Sequence, residues 1–204
     1  MPRKRLIRTK DLPYHVVNRC IDKDFYPLNL NLVWAELMDI CRVITYCYGA
    51  KIHAFVLMSN HYHMLLSTPD ENLDDIMQYF QREFSSWIRN QTQKQKYRFQ
   101  GRYKYCLLTE HSHFINTFRY IYQNPLRSGL TSHAEDYKFS TLHGISGNGL
   151  LECPVWLCKE FGGAIPEDHE DLLSFINHPF RCEASEKTRR ALRRQCYKEP
   201  LRLQ

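Results

Sequence analysis

Residues 54–66 read AFVLMSNHYHMLL, in which two apolar runs flank a polar Ser-Asn pair and two histidines one residue apart. Apolar runs of this length around a pair with turn chemistry predict a β-hairpin with strands over residues 51–58 and 62–67. Successive side chains of a strand point to opposite faces of the sheet. We therefore expect His61 and His63 to share one face of this hairpin, with Tyr62 on the other.

The two histidines have two alternative interpretations. Neutral imidazole nitrogen is a preferred ligand for divalent transition metals, so two imidazoles on one face of a strand form a partial metal site. Histidines are also often partly buried in a protein core without binding any ligand. The hairpin alone does not separate these alternatives, and the rest of the chain has to be considered.

The remaining helices and strands are predicted from the spacing of apolar residues. Residues 14–19 and 105–109 have the β-branched and aromatic character of strands. Apolar residues at helical spacing predict three helices: one that ends before Gly49, one that ends near residues 90–92, and one over residues 113–123 that Pro125 ends. The order of these elements predicts an α+β fold, a ferredoxin-like antiparallel sheet with helices on one face.

The length of 204 residues is sufficient for one domain with appendages. We expect a basic N-terminal arm over residues 1–11, a main domain over residues 12–147, and a helical C-terminal appendage over residues 148–204 that ends in a basic segment. Within the appendage, apolar residues indicate helices near residues 151–161 and 171–177, and a basic helix is expected over residues 187–197.

The formal net charge of +6 is unevenly distributed along the chain. Basic residues concentrate near both ends, as Arg3, Lys4, Arg5, Arg8 and Lys10 at the start and as Lys187, Arg189, Arg190, Arg193 and Arg194 near the end. Such clusters favour a polyanionic partner. The alternative is a solvated, disordered terminus that binds nothing specific.

A third basic stretch lies inside the chain, where basic and aromatic residues alternate over residues 94–105. It contains Arg98, Arg102, Tyr103 and Lys104. Basic groups hold phosphates and aromatic rings stack on unpaired bases, which are the two requirements of a groove for single-stranded nucleic acid. An edge strand whose lysines only prevent aggregation would have a similar composition.

The eight cysteines contain no Cys-x-x-Cys pair, which argues against a zinc ribbon and a thioredoxin-type site. No run is long and apolar enough to span a bilayer, and the basic start lacks the core of a signal peptide. The sequence therefore predicts a cytoplasmic protein with reduced thiols and no membrane contact.

The third helix carries a polar row beside its apolar stripe. His113, Thr117, Tyr120 and Asn124 follow one another at intervals of three and four residues, so their side chains project from nearly one face. Arg119 and Arg127 lie close to this row, where they are candidates for phosphate binding. A tyrosine beside an apolar stripe usually packs in the core. A functional role for Tyr120 requires that this helix face the hairpin, which the sequence does not show.

Three motifs in this order make the chain similar to a known family. They are HYH within residues 54–63, FQGRYK at residues 99–104 and RYIYQNPLRSGL at residues 119–130, and YKFST at residues 137–141 matches a weaker motif. The chain resembles the single-tyrosine HUH transposases, specifically the REP-associated tyrosine transposases. The resemblance covers about residues 12–143 and implies the ferredoxin-like fold of HUH endonucleases.

The resemblance also implies roles for individual residues. His61 and His63 would bind a divalent metal, Mg²⁺ or Mn²⁺ in the cell. Tyr120 would be the nucleophile, and Asn124 would be the third metal ligand, with Gln123 as the alternative. Cys20 departs from the pattern, because the family usually has glycine there, and this puts the conformation of the loop after the first strand in doubt.

The activity that the resemblance implies is metal-dependent cleavage and strand transfer of single-stranded DNA next to a palindromic hairpin, through a 5′-phosphotyrosine. The expected partner is single-stranded or hairpin DNA, with no small-molecule substrate, and the protein would be a monomer or a homodimer. Three alternatives remain: a domesticated protein that binds hairpin DNA or RNA without nicking it, a phosphodiesterase in which water attacks, and a structural domain with inert histidines.

Overall fold

A computed structural model describes residues 6–92, 99, 101–157, 163, 165–179 and 182–194. The strands are β1 (Tyr14–Arg19), β2 (Lys51–Leu57), β3 (His61–Ser67) and β4 (Lys104–Leu107). The helices are α1 (Leu30–Tyr48), α2 (Leu73–Thr92), α3 (His111–Tyr122), α4 (Asn124–Arg127), α5 (Thr141–Ile145), α6 (His169–Asn177) and α7 (Cys182–Arg194). The predicted order of elements up to α3 is therefore confirmed, with bounds that differ by a few residues.

The described strands form one antiparallel sheet in the order β2-β3-β1-β4. This is the strand order of a ferredoxin-like fold, as predicted. β1 and β3 are the two inner strands, and their register places Arg19 opposite His61 and Val17 opposite His63. The two histidines therefore lie on an inner strand, at the end where β3 begins and β1 ends.

Helices α1 and α2 contact each other and cover one face of the sheet. Phe55 of β2 packs against Trp34 of α1 and Phe80 of α2, with ring centroids 5.9 and 6.4 Å apart. Tyr62 of β3 also contacts Phe80, with the ring centroids 5.1 Å apart. This face is the aromatic core of the domain, which is why Tyr62, the residue between the two histidines, is fully buried.

Helix α3 contacts β2 and β3 from the opposite face of the sheet. The ring of Phe114 lies 5.5 Å from that of His53, and the ring of Tyr120 lies 5.7 Å from that of His63. The sequence predicted the helices on one face of the sheet. Helices α1 and α2 lie there, whereas α3 lies on the opposite face, where contacts between distant parts of the chain hold it. Its packing against the histidine face creates the candidate site.

The two backbone features that the sequence singled out are ordinary in the structure. Gly49 ends α1 in the left-handed region with a φ of 69°, and the Ala50 N–H donates to the Ile44 carbonyl, as expected for a glycine that ends a helix. Cys20 has a φ of −59° and a ψ of 150°, which any residue adopts. Glycine is therefore not needed after β1.

One predicted helix of the appendage is wrong in its described part, because residues 151–157 contain no helix. Pro154 lacks an N–H and disfavours helical conformation in the residue before it. The segment instead runs beside β2, where the Trp156 N–H donates to the Ile52 carbonyl at 2.8 Å. Glu152 accepts a hydrogen bond from the Trp34 indole at 2.9 Å, which ties the segment to α1.

Helices α6 and α7 pack against the α3 side of the protein. Gln123 donates to the carbonyls of Ile176 and His178 at the end of α6, and α7 contacts α3 and β4. The prediction of a basic helix near the C terminus applies to α7, although residues 195–197 lie outside the described residues. In the described parts of the chain, no helix combines the length and the apolar composition that a membrane-spanning helix requires.

Candidate active site

Strand β3 presents the two histidines side by side on the face that α3 covers. Their ring centroids are 5.1 Å apart, and the ring planes are inclined by 79°. Between them, Tyr62 points to the opposite face and stacks on Phe55 at 5.7 Å. The alternation predicted for this strand is therefore present, and the rigid aromatic core behind it holds the two imidazoles in place.

Both histidines use Nδ1 for hydrogen bonds within the protein. The Nδ1–H of His61 donates to the side-chain oxygen of Asn60 at 2.7 Å. The Nδ1 of His63 lies 3.0 Å from the Nε2 of His15, a residue of β1. Since a second hydrogen bond orients a metal-binding histidine and selects its tautomer, Nε2 is the nitrogen left to bind a ligand on each ring.

Burial keeps these imidazoles uncharged at neutral pH. Together with the positive charge of Arg19, it lowers the pKa of His61 to about 4. The pKa of His63 also lies well below its usual value, because the ring is fully buried and because His61, His15 and Arg19 are close. Only neutral imidazole binds a metal ion. The two rings are therefore in the protonation state that metal binding requires.

Tyr120 projects from α3 onto the histidines. Its ring lies edge-on to His63, with centroids 5.7 Å apart, and 6.0 Å from the ring of His15. The guanidinium of Arg127 lies 5.3 Å from the centre of the Tyr120 ring. Burial raises the pKa of Tyr120, and the positive charges of Arg127, Arg189 and Arg19 act in the opposite direction. A phenol beside two imidazoles and several cations is suited to nucleophilic attack on a phosphate.

The structure places Asn124 and Gln123 in different environments. Asn124 lines the same cavity as Tyr120, and its amide nitrogen donates to the Tyr120 carbonyl at 2.8 Å. A carbonyl only accepts, so the Asn124 side-chain oxygen must be the atom that faces away, and no described residue donates to it. Gln123 is buried, and its amide nitrogen donates at 2.5 Å to the Ile176 carbonyl. Of these two amides, only that of Asn124 belongs to the cavity lining.

The site is an open cavity of about 460 Å³ with a basic lining. It brings together seven residues singled out in the sequence, namely His61, His63, Tyr120, Asn124, Arg102, Lys104 and Arg127. The hairpin, β4 and the end of α3 each contribute some of them. Residues that were predicted from three separate motifs therefore line one cavity.

Other predicted residues lie elsewhere. Arg119 donates to the His178 carbonyl at 2.6 Å and lies over the ring of Phe175, so it contacts α6. Tyr103 is only 6% exposed and does not line the cavity. Arg3, Lys4, Arg5 and Arg98 lie outside the described residues.

Two arginines of the cavity were not assigned to the site from the sequence. Arg19, the last residue of β1, lies opposite His61, and only the register between β1 and β3 shows this. Arg189 of α7 also lines the cavity, together with Leu192. The sequence marks Arg189 only as one member of a basic cluster. Its neighbour Arg190 instead pairs with Glu186 on the surface of the helix.

The donor atoms around the histidines suit a divalent metal ion. Two imidazole nitrogens and an amide oxygen leave other coordination positions open, unlike a closed structural site. The described residues contain no group of three or more His, Cys, Asp or Glu side chains placed to hold a metal. Asparagine is not one of these four residue types, so His61, His63 and Asn124 remain the candidate metal ligands.

Comparisons with known proteins bear on the family and the fold of the chain. The chain matches the family described as "Transposase IS200 like" over residues 8–124, which is more than half of its length. Its fold is similar to that of a REP-associated tyrosine transposase bound to a REP hairpin, with a TM-score of 0.61 and 18% identity over 74% of this chain and 88% of the other.

A protein from Deinococcus radiodurans R1 described as a transposase is also similar, with a TM-score of 0.40 and 16% identity over 56% of this chain and 89% of the other. No curated protein sequence matches the chain. The match over residues 8–124 decides the assignment. The chain belongs to the IS200-like transposase family.

Proposed function

We propose that this transposase cleaves and rejoins single-stranded DNA next to a hairpin, with Tyr120 as the nucleophile and a divalent metal ion as the cofactor. The observation that carries the proposal is the packing of the Tyr120 ring against His63 at 5.7 Å, in a cavity that both residues line. It brings the ring that bears the attacking oxygen next to His63, one of the two imidazoles that would hold the metal. A tyrosine that only packed in the core would have no need of a basic cavity at its side.

The proposed reaction is a transesterification at phosphorus. The phenol oxygen of Tyr120 forms a bond to phosphorus, its proton passes to solvent, and the bond from phosphorus to the 3′ oxygen breaks. The released 3′ oxygen takes up a proton and becomes a free hydroxyl, while the 5′ end stays attached to the protein as a phosphotyrosine. Because the new bond to tyrosine replaces the phosphoester bond that breaks, the attached 5′ end can be rejoined to the same 3′ end or transferred to another.

His61, His63 and Asn124 would hold Mg²⁺ or Mn²⁺. When bound, such an ion polarises a phosphate oxygen and favours in-line attack. The protein's own part is to keep both imidazoles neutral by burial and to fix their orientation through Nδ1. The guanidinium of Arg127 lies over the Tyr120 ring, 5.3 Å from its centre.

The substrate is proposed to be single-stranded at the point of cleavage. Cations from β1, from β4 and the residues just before it, from α4 and from α7 line the cavity. Each of them can neutralise a backbone phosphate. These cations are Arg19, Arg102, Lys104, Arg127 and Arg189. A cavity of about 460 Å³ accommodates a bent single strand better than a stiff duplex. The hairpin partner is inferred from the similar protein, which is bound to a REP hairpin.

The direct test is to incubate the protein with a library of end-labelled DNA hairpins that carry single-stranded flanks, with Mn²⁺ or with EDTA. We expect a covalent protein–DNA adduct on a denaturing gel with Mn²⁺, and no adduct with EDTA. Hairpin binding without an adduct would contradict the proposal and favour a domesticated DNA-binding protein. Cleavage that releases free 5′-phosphate without an adduct would indicate that water is the nucleophile.

Arg189 is expected to contribute to DNA binding from outside the family motifs. The Arg189→Ala variant should bind a single-stranded oligonucleotide about tenfold more weakly at low salt, because one phosphate contact is lost. The slope of log affinity against log salt concentration should decrease by about one. Fluorescence anisotropy at several salt concentrations measures both quantities.

The matched control is Arg190→Ala, which removes the same charge from the next residue of α7. Arg190 pairs with Glu186 at 2.7 Å in solvent and does not line the cavity. Its loss should leave the salt slope nearly unchanged. Equal effects of the two substitutions would mean that only the net charge of α7 matters, not the position of Arg189.

A further inference from the structure

His15 is a buried histidine that the proposed reaction does not yet use. It lies on β1 and is fully buried, and its Nε2 is 3.0 Å from the Nδ1 of His63. The rings of His15 and His63 are stacked, with centroids 5.2 Å apart, and the Tyr120 ring lies 6.0 Å from that of His15. His15 therefore contacts both a candidate ligand and the candidate nucleophile.

The hydrogen bond between the two imidazoles permits two arrangements of the protons. If His63 donates from Nδ1, its Nε2 carries a lone pair and can bind a metal ion. If His15 donates from Nε2 instead, His63 carries its proton on Nε2 and cannot bind. The choice between these arrangements thus decides whether His63 is a ligand.

The other nitrogen of His15 does not stabilise the fold through a hydrogen bond. Its Nδ1 is buried, and no described residue makes a hydrogen bond to it. A buried polar atom without a partner is unfavourable, so an apolar ring of the same size would fit this position at least as well. Rules of this kind are usually broken where function requires it.

We propose that His15 is a positioning residue that accepts the Nδ1–H of His63 and so directs the His63 Nε2 lone pair into the cavity. This role rests on the proposed function, since it acts through a metal ligand. His15 itself does not line the cavity and would not touch the metal or the DNA.

His53 provides a contrast within the same face of the sheet. It is 1% exposed and packs edge-on against Phe114 of α3, much as His15 packs against Tyr120. Its two nitrogens are paired with the Trp156 carbonyl at 2.6 Å and the Ser67 hydroxyl at 2.8 Å. His53 therefore has a purely structural environment and serves as a matched control.

The test compares His15→Phe with His15→Gln. Phenylalanine keeps a ring against Tyr120 but offers no acceptor to His63, whereas the glutamine side-chain oxygen can replace the Nε2 acceptor. We expect His15→Phe to weaken Mn²⁺ binding about thirtyfold, within the range found when outer partners of metal-binding histidines are removed. His15→Gln should recover most of that affinity. Electron paramagnetic resonance of free Mn²⁺ measures it without DNA.

Two further measurements separate positioning from folding. Long-range ¹H–¹⁵N correlation spectra of the metal-free protein should place the His63 proton on Nδ1 in the wild type and in His15→Gln, and mainly on Nε2 in His15→Phe. The melting temperature of metal-free His15→Phe should stay close to that of the wild type. The control His53→Phe should lower the melting temperature and leave Mn²⁺ affinity unchanged.

Unchanged Mn²⁺ affinity in His15→Phe would overturn the role of His15, and so would a folded His15→Gln variant that binds as weakly as His15→Phe. Failure of the proposed function has a different signature. In that case the wild-type protein binds Mn²⁺ but forms no covalent adduct with hairpin DNA, and the effect of His15 on metal affinity remains measurable.

Discussion

Replacing Tyr120 with phenylalanine is expected to abolish the covalent protein–DNA adduct and to reduce strand cleavage by at least about a thousandfold. The substitution removes only the phenol oxygen, so the ring keeps its contacts with His63 and His15. The oxygen is the atom that would form the bond to phosphorus, and no other tyrosine lines the described part of the cavity. Denaturing gels with end-labelled hairpin DNA measure both the adduct and the cleaved strand.

The matched control for this variant is Tyr122→Phe on the same helix. Tyr122 is fully buried, and its hydroxyl shares a hydrogen bond of 2.9 Å with the Thr141 hydroxyl, away from the cavity. Removing that hydroxyl should cost about 1 kcal/mol of folding free energy and should preserve the adduct. If Tyr120→Phe still cleaved DNA at a comparable rate, water or another group would have to be the nucleophile.

Asn124 and Gln123 are expected to respond to alanine substitution in opposite ways. Asn124→Ala removes the oxygen that is exposed to the cavity, so Mn²⁺ affinity should fall about a hundredfold, at least as much as the loss of an outer partner costs. Adduct formation should fall with it. Gln123→Ala should instead leave Mn²⁺ affinity unchanged, because its amide is engaged with the carbonyls of Ile176 and His178.

The effect of Gln123→Ala should appear in stability. Removal of the Gln123 amide leaves the Ile176 carbonyl without this buried donor, which should lower the free energy of unfolding by about 1 to 3 kcal/mol. Thermal unfolding and Mn²⁺ titration of both variants test the assignment together. Weaker metal binding in Gln123→Ala, with Asn124→Ala unaffected, would make Gln123 the metal ligand in place of Asn124. The end of α3 would then have to rearrange when metal binds.

Local periodicity was sufficient to predict much of the site. Alternation along β3 placed His61 and His63 on one face before any tertiary contact was known, because side-chain direction in a strand depends only on position in the strand. The helical spacing of Tyr120 and Asn124 predicted in the same way that they point to one side, and both line the cavity although Asn124 begins α4. The sheet order followed from the succession of elements, since few topologies suit that succession.

Periodicity failed where a remote partner determines the local conformation. Residues 151–157 were predicted to be helical from their apolar residues, but Pro154 and the hydrogen bond from Trp156 to β2 oppose a helix there. Arg189 and Arg190 are adjacent in one basic helix, and only the packing of α7 against α3 and β4 gives them different surroundings. A charge cluster in a sequence does not show which of its members reaches a site.

Motifs in the sequence were enough to predict candidate residues for the chemistry, and local backbone geometry was enough to predict which side of a strand or helix they occupy. Three features depend on tertiary packing: α3 covers the histidine face, Asn124 and not Gln123 lines the cavity, and His15 contacts His63. These contacts join residues that are far apart in the chain. They are set by the packing of whole helices on the sheet, which no short stretch of sequence encodes.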